Sequence, residues 1–141
     1  VTAGGPSRGP QGRDPAMSMN TRVCVLYVGA ILVGAGLFAA GFFTDNVFIL
    51  PLLLAAVMTL AHLGVGLWWL LQKPRTAGGI TAGVLALLAG ASWATWVAAE
   101  WEEYRAQSYL PIINIAGLPA FVLTPIVLVC VIAAAMRNRT H

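Results

Sequence analysis

Residues 47–71 read VFILPLLLAAVMTLAHLGVGLWWLL, and this stretch decides the fold of the chain. His62 is its only ionisable residue, and it contains no acidic residue, lysine or arginine. A helix needs roughly 20 apolar residues to cross the hydrocarbon core of a bilayer. The stretch is therefore predicted to be a transmembrane helix.

Three further apolar stretches surround this one, at residues 23–43, 79–99 and 118–136. The last is near the lower length limit for a span, and Thr124-Pro125 within it predicts a local bend. Only 9% of the 141 residues are charged and 59% are hydrophobic, whereas a soluble domain carries about 25% charged residues. The sequence thus predicts an all-α integral membrane protein, a four-transmembrane-helix bundle over residues 23–136.

The two ends of the chain are predicted to be cytoplasmic tails, residues 1–22 and 137–141. Residues 1–22 are rich in Gly, Pro, Arg and Ser and lack apolar periodicity, which is typical of disorder. A signal peptide is the alternative for residues 23–43. That alternative is disfavoured because the apolar run is too long and no small-residue cleavage pattern ends it.

Basic residues predict how the four spans are oriented. With four spans, seven of the eight basic residues fall on one side: Arg8, Arg13, Arg22, Lys73, Arg75, Arg137 and Arg139. Asp45 and the external loop at residues 100–117, with Arg105 as its only base, fall on the other. Because basic loops stay in the cytoplasm, we expect an up-down-up-down bundle with N-in/C-in orientation.

The overall composition bears on partners and origin. The net charge of +3 is spread thinly along the chain, so it does not indicate nucleic-acid binding. Seven arginines against one lysine, with abundant Ala, Gly and Val, favour the plasma membrane of a GC-rich bacterium. The expected partners are the lipid bilayer and other membrane-protein subunits, and a homo-oligomer stays open.

Small residues in the third stretch form two candidate packing motifs. A line at four-residue spacing comprises Ala82, Ala86, Gly90, Ala94 and Ala98, and Gly79 and Gly83 form a GxxxG motif beside it. In lipid, small residues let two helix backbones approach each other closely. These residues predict packing within the bundle or, alternatively, a contact with another subunit.

His62 is the most informative single position because ionisable residues deep in a membrane are costly and often functional. It shares a helical face with Ala55, Met58, Thr59, Gly66 and Trp69, which should turn inward. We expect a neutral imidazole bonded to a neighbouring helix or partner, since low dielectric disfavours the charged form. Haem ligation by two histidines would need a partner, because the only other histidine is His141.

No complete catalytic or metal site is predicted. A proton path is disfavoured because no Asp or Glu lies in any predicted span. Cys24 and Cys130 have no base nearby in sequence and too few companion ligands for a metal. We therefore expect no cofactor, and a non-enzymatic function is favoured.

The segment after the third span combines aromatic and acidic residues: Glu100, Trp101, Glu102, Glu103, Tyr104 and Arg105. We expect it to continue the third helix, with Trp93, Trp96 and Trp101 as an aromatic belt at the membrane boundary. Its carboxylates fit either a solvated helix end or a contact with a cation or basic partner. The apolar residues 109–118 are expected at the interface or over the bundle.

These observations favour two candidate functions of different kinds. The first is a non-catalytic accessory or structural subunit of a larger bacterial membrane complex, respiratory or cell-envelope. The second is a small homo-oligomeric transporter or flippase, which is less favoured because the spans lack an acidic residue and an inverted repeat. A membrane enzyme or haem protein is the weakest alternative.

Overall fold

The computed structural model describes residues 18–44, 49–106 and 117–137 and is helical in all three ranges. The four helices are α1 (Met19–Phe43), α2 (Ile49–Leu71), α3 (Ala77–Ala106) and α4 (Leu118–Arg137). All four are long and apolar enough to cross a membrane. The prediction of an all-helical chain with four candidate spans is confirmed.

Helix α1 begins earlier than the apolar pattern indicated. Its first residue is Met19, so residues 19–22 are helical rather than part of a disordered tail. The cause is a capping residue, because the Ser18 hydroxyl accepts a hydrogen bond from the Thr21 amide at 3.3 Å. Residues 1–17, which make up most of the predicted tail, lie outside the described part.

Helix α3 is the longest, with 30 residues. At 1.5 Å per residue it extends about 45 Å, against about 30 Å for the hydrocarbon core. The predicted continuation of the helix through residues 100–105 is confirmed. The rest of the predicted external loop, residues 107–116, lies outside the described residues.

Helix α4 stays continuous through its prolines. Pro119 lies in the first turn, where its missing amide hydrogen costs nothing, and Pro125 lies inside the helix. The Thr124 hydroxyl donates to the Ala120 carbonyl at 2.7 Å. The carbonyl that Pro125 leaves without an amide partner belongs to Phe121, so Thr124 does not compensate for the proline.

The helices pack in chain order: α1 contacts α2, α2 contacts α3, and α3 contacts α4, with a smaller contact between α1 and α4. Asn20 in the first turn of α1 contacts Gln72 just after α2. Further along α1, Gly34 packs against Leu54 and Met58. Two clusters of buried side chains result. The larger contains Tyr27 and Trp69, and the smaller contains Met58 and Trp93.

Candidate functional site

His62 is fully buried, at 0% exposure. It lies on the inward face of α2, together with Leu54, Ala55, Met58, Val65, Gly66 and Trp69. These residues recur at three- and four-residue intervals, which place them on one side of a helix. The face expected from the spacing is thus buried, with Thr59 only half-buried at its edge.

Both ring nitrogens of His62 have hydrogen-bond partners. Nδ1 lies 2.7 Å from the Met58 carbonyl oxygen, and because a carbonyl only accepts, Nδ1 carries the proton. In a neutral imidazole Nε2 is then an acceptor. The Tyr27 hydroxyl of α1 lies 3.0 Å from Nε2 and donates to it. The two rings meet edge to face, with centroids 5.4 Å apart.

This arrangement bonds α1 to α2 inside the apolar bundle. A ligand that needed Nε2, such as a haem iron, would have to displace the Tyr27 hydroxyl. Among residues 18–44, 49–106 and 117–137, no three His, Cys, Asp or Glu side chains are close enough to hold a metal ion. His62 therefore forms a hydrogen-bonded connection between the Tyr27 hydroxyl of α1 and the Met58 carbonyl of α2.

Tyr27 was not predicted as the partner of His62, although the sequence contains a signal for it. Tyr27 is the only hydroxyl-bearing residue of the predicted first span, residues 23–43. A buried polar group in lipid must find its partner within the protein. A search for a hydroxyl opposite His62 would therefore have selected it.

The glycines of α3 allow two backbones to approach each other closely. A Cβ added to Gly83 would lie 3.1 Å from the Gly66 carbonyl oxygen, and one added to Gly66 would lie 3.1 Å from the Gly83 carbonyl oxygen. A Cβ at Gly90 would lie 2.9 Å from Leu63. Gly79 is also buried, against Trp69. These three residue pairs join α2 to α3.

The small-residue line of α3 does not stay in this contact. Ala82, Ala86 and Gly90 are buried, whereas Ala94 and Ala98 are exposed. The prediction that this line packs within the bundle is therefore wrong for Ala94 and Ala98. Four residues turn a helix by about 400°, so such a line rotates by about 40° at each step and leaves the interface. The buried face alternates steps of three and four residues instead.

The predicted aromatic belt is also wrong for Trp93, which is buried at 2% exposure. Its Nε1 donates to the Thr124 hydroxyl of α4 at 3.0 Å. Its ring stacks on Trp96, with centroids 5.1 Å apart, and contacts Phe121. Trp93 therefore belongs to the α3–α4 contact, which the sequence pattern did not reveal.

The far end of α3 carries the predicted aromatic and acidic residues. Trp101 and Tyr104 are exposed and stacked, with centroids 5.8 Å apart. Glu102 forms an exposed ion pair with Arg105 at 3.5 Å. Glu103 is half-buried. Glu100, one turn after Trp96, accepts from the Trp96 indole at 2.7 Å.

A second polar cluster joins the beginning of α1 to the end of α2. The side-chain oxygen of Asn20 accepts from Gln72 Nε2 at 2.7 Å and from Trp68 Nε1 at 3.2 Å. This cluster was not predicted from the sequence, because Asn20 fell in the predicted tail. Cys24 and Cys130 are half-buried and pack against the larger core cluster.

The chain matches no family model, no curated protein and no solved structure. Its class therefore rests on the four apolar helices, which are consistent with a transmembrane helical bundle and hence with a multi-pass membrane protein. Within this bundle, the described residues form a buried Tyr27–His62 contact and a glycine-lined contact between α2 and α3.

Proposed function

We propose that this protein is a non-catalytic accessory or structural subunit of a larger membrane complex, respiratory or cell-envelope, in the plasma membrane of a GC-rich bacterium. The outer half of the α3 small-residue line carries the proposal. Ala94 and Ala98 are exposed in the chain, although small residues at this spacing are the usual means of close helix contact in lipid. They would let a partner helix approach α3 closely, as Gly83 lets α2 approach it.

The polar groups of the bundle support a structural role. His62, the one ionisable residue of α2, has both ring nitrogens bonded within the chain. Glu100 and Glu102 are likewise engaged, with Trp96 and Arg105. A transporter or flippase would need polar groups free to bind cargo, so this alternative has less support.

The proposed topology is up-down-up-down with both termini in the cytoplasm. It is supported by contacts between consecutive helices that pair the beginning of one with the end of the next. Asn20 contacts Gln72, and a Cβ at Gly78 would lie 3.8 Å from Arg137 Nη1. Arg22, Lys73, Arg75 and Arg137 lie near these helix ends in sequence, and the positive-inside rule favours the cytoplasm for them.

Cysteine labelling tests the orientation. In a background without Cys24 and Cys130, Arg105→Cys should react with an impermeant thiol reagent added to intact cells. Lys73→Cys and Arg137→Cys should react only after the cells are opened. Labelling of position 137 from outside would contradict the proposed orientation.

Native purification tests the partner. The tagged full chain is extracted in mild detergent from its own host, alone and as the variants Ala94→Leu and Ala98→Leu. Each variant should lose a stoichiometric companion subunit while keeping its own helical content. Ala39→Leu is the matched control, because Ala39 is an exposed alanine of α1 outside the line.

Two outcomes would contradict the accessory-subunit proposal. One is recovery of the native chain alone, with no companion at stoichiometric yield. The other is a companion that Ala39→Leu and Ala94→Leu release equally, since the α3 face would then have no special role. If two differently tagged copies of this chain co-purify, the companion is a second copy, as the homo-oligomeric alternative requires.

A further inference from the structure

The indole nitrogen of Trp69 lacks a hydrogen-bond partner although it lies inside the larger core cluster. Trp69 is 2% exposed, and among the described residues its Nε1 is the one buried side-chain nitrogen or oxygen without a partner. Three other indoles each have an acceptor: Trp68, Trp93 and Trp96. A buried donor left unpaired is costly, so the exception at Trp69 needs a physical cause.

An acceptor with unused capacity lies in the same cluster. Tyr27 is 3% exposed and packs in the core cluster that contains Trp69. Its single hydroxyl proton is donated to His62 Nε2, because Nδ1 of that ring donates to Met58. The Tyr27 oxygen therefore keeps lone pairs that can accept a further hydrogen bond.

Both groups lie at the buried face of α2 that carries His62. Contacts between α1 and α2 run in opposite sequence order, from Asn20 with Gln72 to Gly34 with Leu54. Long side chains on a helix lean toward its N-terminus. The Tyr27 hydroxyl lies at the level of His62, and Trp69, two turns further along the same buried face of α2, is expected from this rule to lean toward that level. The same cluster includes the small side chains of Ala82, Ala86, Ala134 and Ala135.

We propose that an ordered water molecule binds between Trp69 and Tyr27, accepting from the indole N–H and donating to the hydroxyl oxygen. Buried waters occupy sites that supply two to four polar partners, and these two groups meet that minimum. The water extends the Met58–His62–Tyr27 chain of hydrogen bonds to Trp69. This inference is independent of the proposed function, because it concerns only the interior of the chain.

Water contact with the indole is the first test. The full chain is labelled with nitrogen-15 in lipid nanodiscs, and the Trp69 indole signal is identified by its loss in Trp69→Phe. A magnetisation-transfer cross-peak between this indole proton and water is expected, and it should disappear in Tyr27→Phe. The Trp93 indole is the control, because it bonds directly to Thr124 and should show no cross-peak in either protein.

A double-mutant cycle is the second test. The unfolding equilibrium constants of Trp69→Phe, Tyr27→Phe and the double variant should show coupling of about fivefold, as expected for one shared hydrogen-bonding contact. Trp93→Phe should show no coupling to Tyr27→Phe. The water is ruled out if the Trp69 indole has no water cross-peak, or if the Trp69 and Tyr27 substitutions are additive.

Discussion

Helix α2 is joined to its two neighbours by different means. Toward α3 it presents Gly66, whose backbone lies close to that of Gly83. A Cβ on either residue would lie 3.1 Å from the other's carbonyl oxygen and within 3.0 Å of a leucine side chain. Toward α1 it presents His62 and Gln72, which bond to side chains. In α1, a Cβ at Gly29 or Gly36 would meet nothing within 4 Å, although Gly34 packs closely against Met58.

The difference illustrates two ways in which helices can associate in lipid, where no hydrophobic force drives them together. Close backbone approach gives α2 and α3 many dispersion contacts, and it fails if one side chain is enlarged. Hydrogen bonds hold α1 at a few points while most of its surface stays open. The α2–α3 contact should therefore be sensitive to volume, and the α1–α2 contact should be sensitive to polarity.

The largest effect is expected from enlarging the α2–α3 contact. Gly83→Leu places a side chain where the Gly66 carbonyl oxygen and Leu70 already lie. Overpacking of a tight core costs about 1–3 kcal/mol or more, and here backbone must move. We expect a severe loss of folded protein, measured by size-exclusion chromatography and unfolding in mixed detergent.

Gly36→Leu is the matched control for this prediction, since Gly36 is an exposed glycine of α1 with open space around its Cα. It should fold as the native chain does. Gly90→Leu should resemble Gly83→Leu, because its new side chain would meet Leu63 and His62. Equal tolerance of Gly36→Leu and Gly83→Leu would mean that the close α2–α3 approach does not stabilise the bundle.

A smaller effect is expected from the Tyr27–His62 bond. His62→Leu removes the acceptor of the Tyr27 hydroxyl, and interhelical bonds in membranes average about 0.6 kcal/mol, with a maximum of about 1.7. His62→Gln keeps a donor and an acceptor, so it should lose less stability. Unfolding free energies of both variants, alone and with Tyr27→Phe, measure the bond.

The cycle with Tyr27→Phe is informative in both directions. His62→Leu should cost less in the Tyr27→Phe background, where the bond is already absent. Full additivity would show that the two side chains are not coupled. If His62→Gln abolished the activity of an associated complex while its assembly stayed intact, a chemical role for the imidazole would replace the structural one.

The smallest effect is expected at the end of the α1–α2 contact. Asn20→Ala removes the acceptor shared by Trp68 and Gln72. Both donors are only half-buried, so water can replace much of the lost bond and the cost should be about 0.5 kcal/mol. Hydrogen exchange of the first turn of α1 should accelerate more than global unfolding. Unchanged exchange there would show that Asn20 does not hold this end.

The spans could be predicted from sequence because crossing a membrane imposes length and apolarity on every residue of a stretch. The inward face around His62 followed from helical periodicity for the same local reason. Tyr27 and Thr124 were harder to foresee as partners, because a hydrogen bond between helices depends on how the helices rotate against each other. Ala94 is exposed because residues spaced four apart drift around a helix that has 3.6 residues per turn. This cause is local and could have been predicted from the sequence.

The stacked indoles of Trp93 and Trp96 give the molecule an optical signal of its own. Two identical chromophores with centroids 5.1 Å apart and planes inclined by 26° are expected to couple their electronic transitions and to contribute a couplet to the circular dichroism band. Phe121 of α4 contacts both rings, so displacement of α4 from α3 is expected to change the couplet. We therefore expect that the packing of these two helices can be followed without any added label.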